Sequence, residues 1–393
     1  MPIVNRVADL ASDIAAWRQD IHAHPELLYE VHRTAAFVAE RLKEFGCDEV
    51  VTGLGRTGVV GLIKGRKPAA ADGQEIRTLG LRADMDALPL QEITGVPYAS
   101  KNPGVMHACG HDGHTAMLLG AARYLAETRN FAGDVAVIFQ PAEEGGAGAK
   151  AMINDGLMDR FAIDQVYGMH NSPELAVGKF AIRRGPYMAS MDEIHIAIEG
   201  IGGHAARPHK CIDPVLTGAQ LVTSLQSIVS RSVDPLEAAV ISMCQFHAGD
   251  ALNIIPQTAK LAGTVRTLKP QVRDLIEKRM NEVVEGVAAL TGAKIALDYD
   301  RGYPVLVNHA AQTDIAARVA SEVAGADNVK TTVPPIMGAE DFAYMLEERP
   351  GAFIFIGNGD SAGLHNPAYN FNDDAIVFGT SYWIRLVETQ LAA

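Results

Sequence analysis

The sequence predicts an α/β fold: a largely parallel sheet covered by helices on both faces, interrupted by a second, smaller domain. Three observations predict it. Helix-period and strand-type runs alternate through the first half of the chain. The strand runs are almost wholly apolar, as strands covered on both faces must be. From Met191 the order changes to β-α-β-β-α-β, the ferredoxin-like pattern of a compact unit that can sit as an insertion within a larger one.

In chain order, Val7 to His24 and Thr34 to Phe45 carry apolar residues at helical spacing, followed by short β-rich runs at Val59 to Ile63 and Thr78 to Leu81. A helix is expected from about His114, then strands at Asp134 to Gln140 and Gln165 to Met169. The inserted pattern reads strand Glu193 to Glu199, helix Pro214 to Val229, strands Ala239 to Phe246 and Ala259 to Thr267, helix Gln271 to Leu290 and strand Lys294 to Tyr299. Its strands alternate polar and apolar residues, which suits one solvated face, and an exposed edge there could pair with a second copy. Ala310 to Ala324 is helical and Ala352 to Gly357 is a buried-type strand, so the first domain resumes. The expected division is 1–185 and 297–393 for the larger domain and 186–296 for the insert. Lys67 to Gly73 is at most a surface loop.

Composition narrows the function. A chain of 393 residues, 48% hydrophobic, is too long for one ordinary core and agrees with two domains. Its 34 Lys+Arg against 47 Asp+Glu give a net charge of −13 without a basic cluster, which argues against a nucleic-acid surface and for a small-molecule partner. Cys47, Cys109, Cys211 and Cys244 lack C-x-x-C spacing and suit a reducing compartment, core filling being the ordinary explanation for three of them. The first ten residues carry charges where a signal peptide needs an apolar block, and no later segment is long enough to span a bilayer, so a cytoplasmic protein with no membrane partner is expected.

The densest chemical signal is His107-Ala-Cys-Gly-His-Asp-Gly-His114, in a chain of thirteen histidines and four cysteines. Imidazole and thiolate are the ligands that zinc-like cations prefer, so the window reads as a transition-metal site. The competing reading is a polar loop in which Asp112 caps the helix behind it, and the segment alone does not choose. Four further polar clusters follow apolar strands: Asp84 with Asp86, Glu143 with Glu144, Met169-His170, and Gly363-Leu-His365. In open α/β sheets ligands bind beyond the carboxyl ends of the strands, so these clusters are expected to converge. With Cys109 and His111 they offer three imidazoles, a thiolate and several carboxylates, about enough for two ions sharing a bridge.

Glu143 and Glu144 are adjacent, and from an extended segment one could bind metal while the other stays uncommitted. An uncommitted carboxylate beside an activated water is what amide hydrolysis needs; as a lone dipeptide, however, Glu-Glu reads more readily as a solvated helix N-terminus. Asp84 and Asp86 are turn formers or acceptors that orient ligand histidines, the latter preferred for Asp86. His204, in the glycine-rich loop Gly200 to His209, could polarise a carbonyl, although an exposed histidine in a glycine turn is as good a reading. Asn253 and Arg266 could bind a substrate carboxylate or be plain surface strand residues. The turn Met337 to Phe342 carries Glu340 and Asp341, read as support for the site.

Taken together, the segments His24-Pro-Glu-Leu, Leu81-Arg-Ala-Asp-Met-Asp-Ala-Leu-Pro, Met106-His-Ala-Cys-Gly-His-Asp-Gly-His, Gln140-Pro-Ala-Glu-Glu-Gly, Gly168-Met-His-Asn, Gly202-Gly-His-Ala-Ala-Arg-Pro-His, Gly338-Ala-Glu-Asp-Phe and Leu364-His-Asn-Pro resemble the metal-dependent aminoacylase, hippurate hydrolase and auxin-conjugate amidohydrolase family, the Cys-containing branch of the di-metal carboxypeptidase and desuccinylase superfamily. The resemblance implies a di-metal exopeptidase-like catalytic domain with an inserted lid and dimerisation domain. It implies that Cys109, His111, Glu144, His170 and His365 are metal ligands, with Cys109 shared between ions, and that Glu143 is the general acid/base. It also implies that His204 reaches a partner subunit's site and that Asn253 and Arg266 face the substrate carboxylate.

Where the wider superfamily usually has a histidine this chain has Asp84, a departure shared with the amidohydrolase branch that moves the expected substrate from peptides towards N-acyl amino acids. The expected activity is hydrolysis of the amide bond of an N-acyl amino acid, with two divalent ions (zinc, manganese, cobalt or nickel) per subunit of a homodimer or homotetramer. The alternatives are a dipeptidase or carboxypeptidase on the same site, or a binding protein that keeps the scaffold without catalysis.

Overall fold

The computed structural model describes residues 3–68 and 78–392. The chain divides into two compact units, Met1–Gly185 with Val307–Pro334 and Asp341–Ala393, and Pro186–Leu306 with Pro335–Glu340. Of the loop expected at Lys67 to Gly73, residues 69–73 lie outside the described residues.

The first unit is built on an eight-stranded sheet in the order Glu49–Leu54, Gly58–Lys64, Asp134–Gln140, Thr78–Asp84, Ile163–Ser172, Gly351–Gly357, Phe180–Ala181, Val329–Lys330. The four strands from Asp134–Gln140 to Gly351–Gly357 run parallel. Every residue of Thr78–Asp84 and Gly351–Gly357 is buried, the consequence of covering both faces and the reason these runs are apolar. Helices Asn5–Ala23, His111–Thr128 and Ile376–Gln390 pack on one another, and His111–Thr128 lies on the sheet. No described helix is long and apolar enough to cross a membrane.

Two differences from the sequence reading bear on the site. Helix His111–Thr128 starts three residues before the expected His114, because Gly110 takes a left-handed φ of 90° and turns the chain directly into it. Asp112 does not cap that helix. It lies in its first turn, fully buried, with Oδ2 2.8 Å from His22 Nδ1 and 3.5 Å from Arg18 Nη1. The strand expected to end at Met169 continues to Ser172, which puts His170 inside the strand.

The second unit is a four-stranded antiparallel sheet in the order Ala239–Ala248, Thr258–Thr267, Asp192–Glu199, Lys294–Arg301, with helices Pro214–Arg231 and Pro270–Thr291 packed on it. Asp192–Glu199 alternates buried and exposed, sending Ile194, Ile196 and Ile198 into a core with Leu221, Leu225, Ile276 and Met280. The last strand runs to Arg301 and the unit to Leu306, so the expected boundary at 296 would cut the strand; the buried Asp192 carboxylate holds that strand by accepting from Tyr299 Oη at 2.6 Å, and holds the helix through Arg273 Nε at 2.9 Å.

The pairing of His22 generates a pH dependence in the first unit. Burial opposes its charged form, but Asp112 and Glu92 outweigh burial and push His22 up to about 9. A histidine whose pKa is raised by folding stabilises fully below its unfolded value near 6.5, and that contribution is lost as the pH rises through about 9. Unfolding free energy should therefore fall by on the order of 3 kcal/mol across this window. Denaturant midpoints at pH ~6 and pH ~10 check it: His22→Gln should be the less stable protein at the lower pH and should show a shallower slope, whereas a variant with the parent's slope would assign the titration to another group.

Candidate functional site

The carboxyl ends of the parallel strands gather the expected side chains. Asp84 ends strand Thr78–Asp84, and Asp86 follows it; the turn at Glu143 and Glu144 follows strand Asp134–Gln140; His170 is near the end of Ile163–Ser172; Cys109 and His111 stand at the start of helix His111–Thr128. His365 arrives on a loop with a left-handed φ of 60°, and its N–H is bonded to the Ala108 carbonyl at 2.8 Å, beside Cys109.

The glutamates sit on a turn, neither extended nor opening a helix, after Ala142 at a φ of 54°. Asp86 makes the turn. Its Oδ1 accepts the Glu143 N–H at 3.0 Å and its Oδ2 the Glu144 N–H at 3.1 Å. Both carboxylates then reach the same imidazole: Glu143 Oε2 and Glu144 Oε1 each lie 4.0 Å from His111 Nε2. Asp86 orients His111 as well, through its backbone, because His111 Nδ1 donates to the Asp86 carbonyl at 2.8 Å, a closer approach than the 3.4 Å to the carboxylate. His170 repeats the device, donating from Nδ1 to the Asn171 carbonyl at 2.7 Å. In both rings the proton is committed to Nδ1, which leaves the Nε2 lone pair for the site.

Those lone pairs meet soft and hard donors. Cys109 Sγ is 3.3 Å from His170 Nε2, and His365 Nε2 is 3.3 Å from Glu144 Oε1. Donor atoms of three overlapping groups lie within 4.8 Å of one another: Cys109, His111 and His170; Cys109, Glu144 and His365; His111, Glu143 and Glu144. Cys109 belongs to two of these groups, and so does His111.

The residues fit cations on two grounds. His111 Nε2 is buried and without a hydrogen-bond partner among the described residues, a costly state unless a cation sits against it. The site is also strongly negative. Burial opposes charging His111, yet Asp84, Asp86 and Glu144 push it up to about 10. Burial, followed by Glu144, Glu143 and Asp84, holds the Cys109 thiol well above its ordinary range. A site that binds protons this tightly favours a cation that displaces them.

Two histidines of the 107–114 window do not join the donors. His107 is buried with neither ring nitrogen hydrogen-bonded among the described residues; burial above all brings it down to about 3, so it is a neutral core residue against His22, 6.2 Å away between ring centroids. His114 lies near Asp84 and His111, but both of its nitrogens are already engaged, by Asp84 and Asn171. Asp84 accepts from His114 and from Arg82 Nη1 at 2.7 Å each. Arg82 is a functional residue that the sequence reading missed, although a single cation inside the apolar run Thr78-Leu-Gly-Leu-Arg was its signal.

In the second unit, His204 is exposed and its two-residue strand with Gly203 pairs with Ile254–Ile255, so it stands beside Asn253, whose carbonyl accepts the Ala205 N–H at 3.0 Å. Arg266 is half-buried opposite Val240, and its Nη1 is buried without a hydrogen-bond partner among the described residues.

A doubly covered parallel sheet that collects thiol, imidazole and carboxylate donors at its carboxyl edge defines a metal-centred α/β protein of the hydrolase kind. The chain belongs to peptidase family M20/M25/M40, whose model matches residues 80–389. It is 43% identical over 386 residues to a hippurate hydrolase of Campylobacter jejuni, covering 98% of both chains, and 41% identical to an N-acetyl-L-cysteine deacetylase of Bacillus subtilis, covering 94% of this chain and 86% of that one. Among solved structures it resembles a Bacillus subtilis protein described as a dinuclear metal binding peptidase from the M20 family, with a TM-score of 0.83 and 33% identity over 98% of this chain and 99% of the other.

Gly110 shows how tightly the site is closed. A Cβ there would stand 2.2 Å from Asn171 Nδ2 and 2.6 Å from Tyr369 Oη, on a backbone at a φ of 90°. Gly110→Ala should therefore destabilise the protein by about 2 kcal/mol or more, read from denaturant unfolding; a loss near zero would mean that the loop shifts freely.

Proposed function

We propose that this protein hydrolyses the amide bond of N-acyl amino acids at a centre of two divalent cations, releasing a carboxylic acid and a free amino acid. The reaction class is supported by the relatives named hippurate hydrolase and N-acetyl-L-cysteine deacetylase, and the pair of ions by the dinuclear structural relative. The observation that carries the reading is the meeting of Cys109, His111, Glu144, His170 and His365, with the Glu143 carboxylate 4.0 Å from His111 Nε2.

In this reading those five residues hold the ions, zinc, manganese, cobalt or nickel, and Cys109 is shared. When bound, the ions acidify a water molecule and polarise the acyl carbonyl. Glu143, only 7% exposed, takes a proton from the attacking water on a carboxylate oxygen. As the new C–O bond forms and the C–N bond breaks, it returns that proton to the departing nitrogen. Asp86 keeps Glu143 on station through its N–H. His204 donates a hydrogen bond to the carbonyl oxygen. Asn253 and the unpaired Nη1 of Arg266 receive the substrate carboxylate. We place the protein in the cytoplasm on its cysteine usage, with a small molecule and not nucleic acid as its partner. We read it as a homodimer or homotetramer through the second unit, whose outer strand Ala239–Ala248 has one edge unpaired among the described residues.

Glu143→Gln should abolish turnover while metal content, measured by elemental analysis, stays at the parent's level; activity within about tenfold of the parent, a loss of only ~1.4 kcal/mol, would remove Glu143 from the proton path. Chelation should silence the enzyme, and a screen of divalent ions added back should restore cleavage of N-acetyl and N-benzoyl amino acids in preference to unblocked dipeptides. The opposite preference would turn the reading towards a dipeptidase. Cys109→Ser should lower the bound metal, and unchanged stoichiometry and affinity would strike Cys109 from the ligands.

A further inference from the structure

His114 commits both nitrogens away from the donor cluster. Its Nδ1 donates to Asp84 Oδ1 at 2.7 Å, and its Nε2 accepts the Asn171 backbone N–H at 2.9 Å. A carboxylate on one side and an amide donor on the other fix the neutral ring with its proton on Nδ1. The Asn171 side chain extends this connection: Nδ2 donates to the Cys109 carbonyl at 2.6 Å and lies 3.1 Å from His114 Nε2, while Oδ1 accepts from Tyr369 Oη at 2.7 Å. Asn171 follows His170 directly, and the His114 ring lies 4.5 Å from the His170 ring between centroids. The relay thus ties the backbone of one sulfur-bearing segment to the strand end that carries an imidazole 61 residues away.

We propose that His114 and Asn171 are positioning residues that set the 3.3 Å separation between Cys109 Sγ and His170 Nε2, and thereby the metal affinity of the site, without touching an ion or the substrate. This rests on the reading of Cys109 and His170 as ligands. The relay is suited to the task because it is fully buried and each partner's polar atoms are engaged, so displacing one bond strands a polar group in dry protein. The Gly110 backbone, which no side chain could share with Asn171 and Tyr369, brings the loop close enough for the bonds to form.

The test is a cobalt(II) titration of the full chain. It reads affinity and the thiolate-to-cobalt charge-transfer band that reports Cys109 coordination, with kcat and KM measured alongside. His114→Ala and Asn171→Ala should bind cobalt about 10–100-fold more weakly, with an altered band. Their activity, lost at limiting cobalt, should recover as cobalt is raised, which a general packing defect would not allow. If His114→Ala does not fold, Tyr369→Phe, which removes one hydroxyl, should move affinity and band the same way by a smaller factor. A folded variant with the parent's affinity and band overturns the proposal. Absence of the band in the parent, or its survival in Cys109→Ser, overturns the ligand reading on which the proposal stands.

Discussion

The buried guanidinium of Arg82 is the fixed point of the carboxyl edge of the sheet. It is 1% exposed, and it donates to Asp84 Oδ2 at 2.7 Å, Gln140 Oε1 at 2.8 Å and Asp341 Oδ1 at 3.0 Å. An unpaired charge at that depth would cost several kcal/mol, so the ends of two neighbouring strands and the segment at 341 must all come to it. The consequences spread from there. Asp341 also accepts the Ala149 N–H at 2.9 Å and the Gln140 amide at 2.8 Å, which anchors the start of helix Gly148–Asn154. The turn carrying Glu143 and Glu144 is therefore held from behind by Asp341 and from the front by Asp86.

The same cluster explains why the site wants positive charge. Arg82 offsets one carboxylate's worth of negative potential, but Asp84, Asp86, Glu143 and Glu144 all stand around His111. Without a cation the surplus is met by protons, seen in the upward push on both His111 and Cys109. Protein folding alone has no reason to bury so many acids beside a lone pair with no donor. Cation binding supplies the missing partner, and the thiolate and neutral imidazole that it requires are the forms that proton release would leave.

Much of this was legible in the sequence because the signals were local. The strand Asp134–Gln140, the helix Ala310–Ala324 and the β-α-β-β-α-β order of the second unit follow from periodicity and apolar runs. The gathering of polar clusters was anticipated because Asp84, Glu143 with Glu144, and His170 lie at or just beyond the carboxyl ends of apolar strands. What escaped was relational. A cap at Asp112 stayed open as an alternative because nothing near it in sequence shows that His22, ninety residues earlier, faces it inside the core. The 107–114 window alone did not separate His111 from His107 and His114, since the sequence does not say which imidazoles are already engaged or walled off. Helix Ile376–Gln390 was not anticipated: it buries Thr380 and Ser381 together with its apolar residues, which blurs the boundary between its faces. The Arg82–Gln140 contact depends on the adjacency of strands 78–84 and 134–140, and Asn171 meets His114, Cys109 and Tyr369 from segments far from it in sequence.

The imidazoles of His111 and His170 are oriented by main-chain carbonyls, Asp86 O and Asn171 O, and this divides the labour of the supporting residues. A carbonyl can only accept, so the ring proton is held on Nδ1 whatever the side chains nearby are doing, and the lone pair at Nε2 is secured by the backbone. The Asp86 carboxylate is thereby released for a second task, the two N–H groups of the Glu143–Glu144 turn. One residue thus orients His111 with its backbone and the Glu143–Glu144 turn with its side chain. The distance between the His111 imidazole and the Glu143 carboxylate is consequently set within one short segment, and Asp86 stands two residues beyond the end of a wholly buried strand.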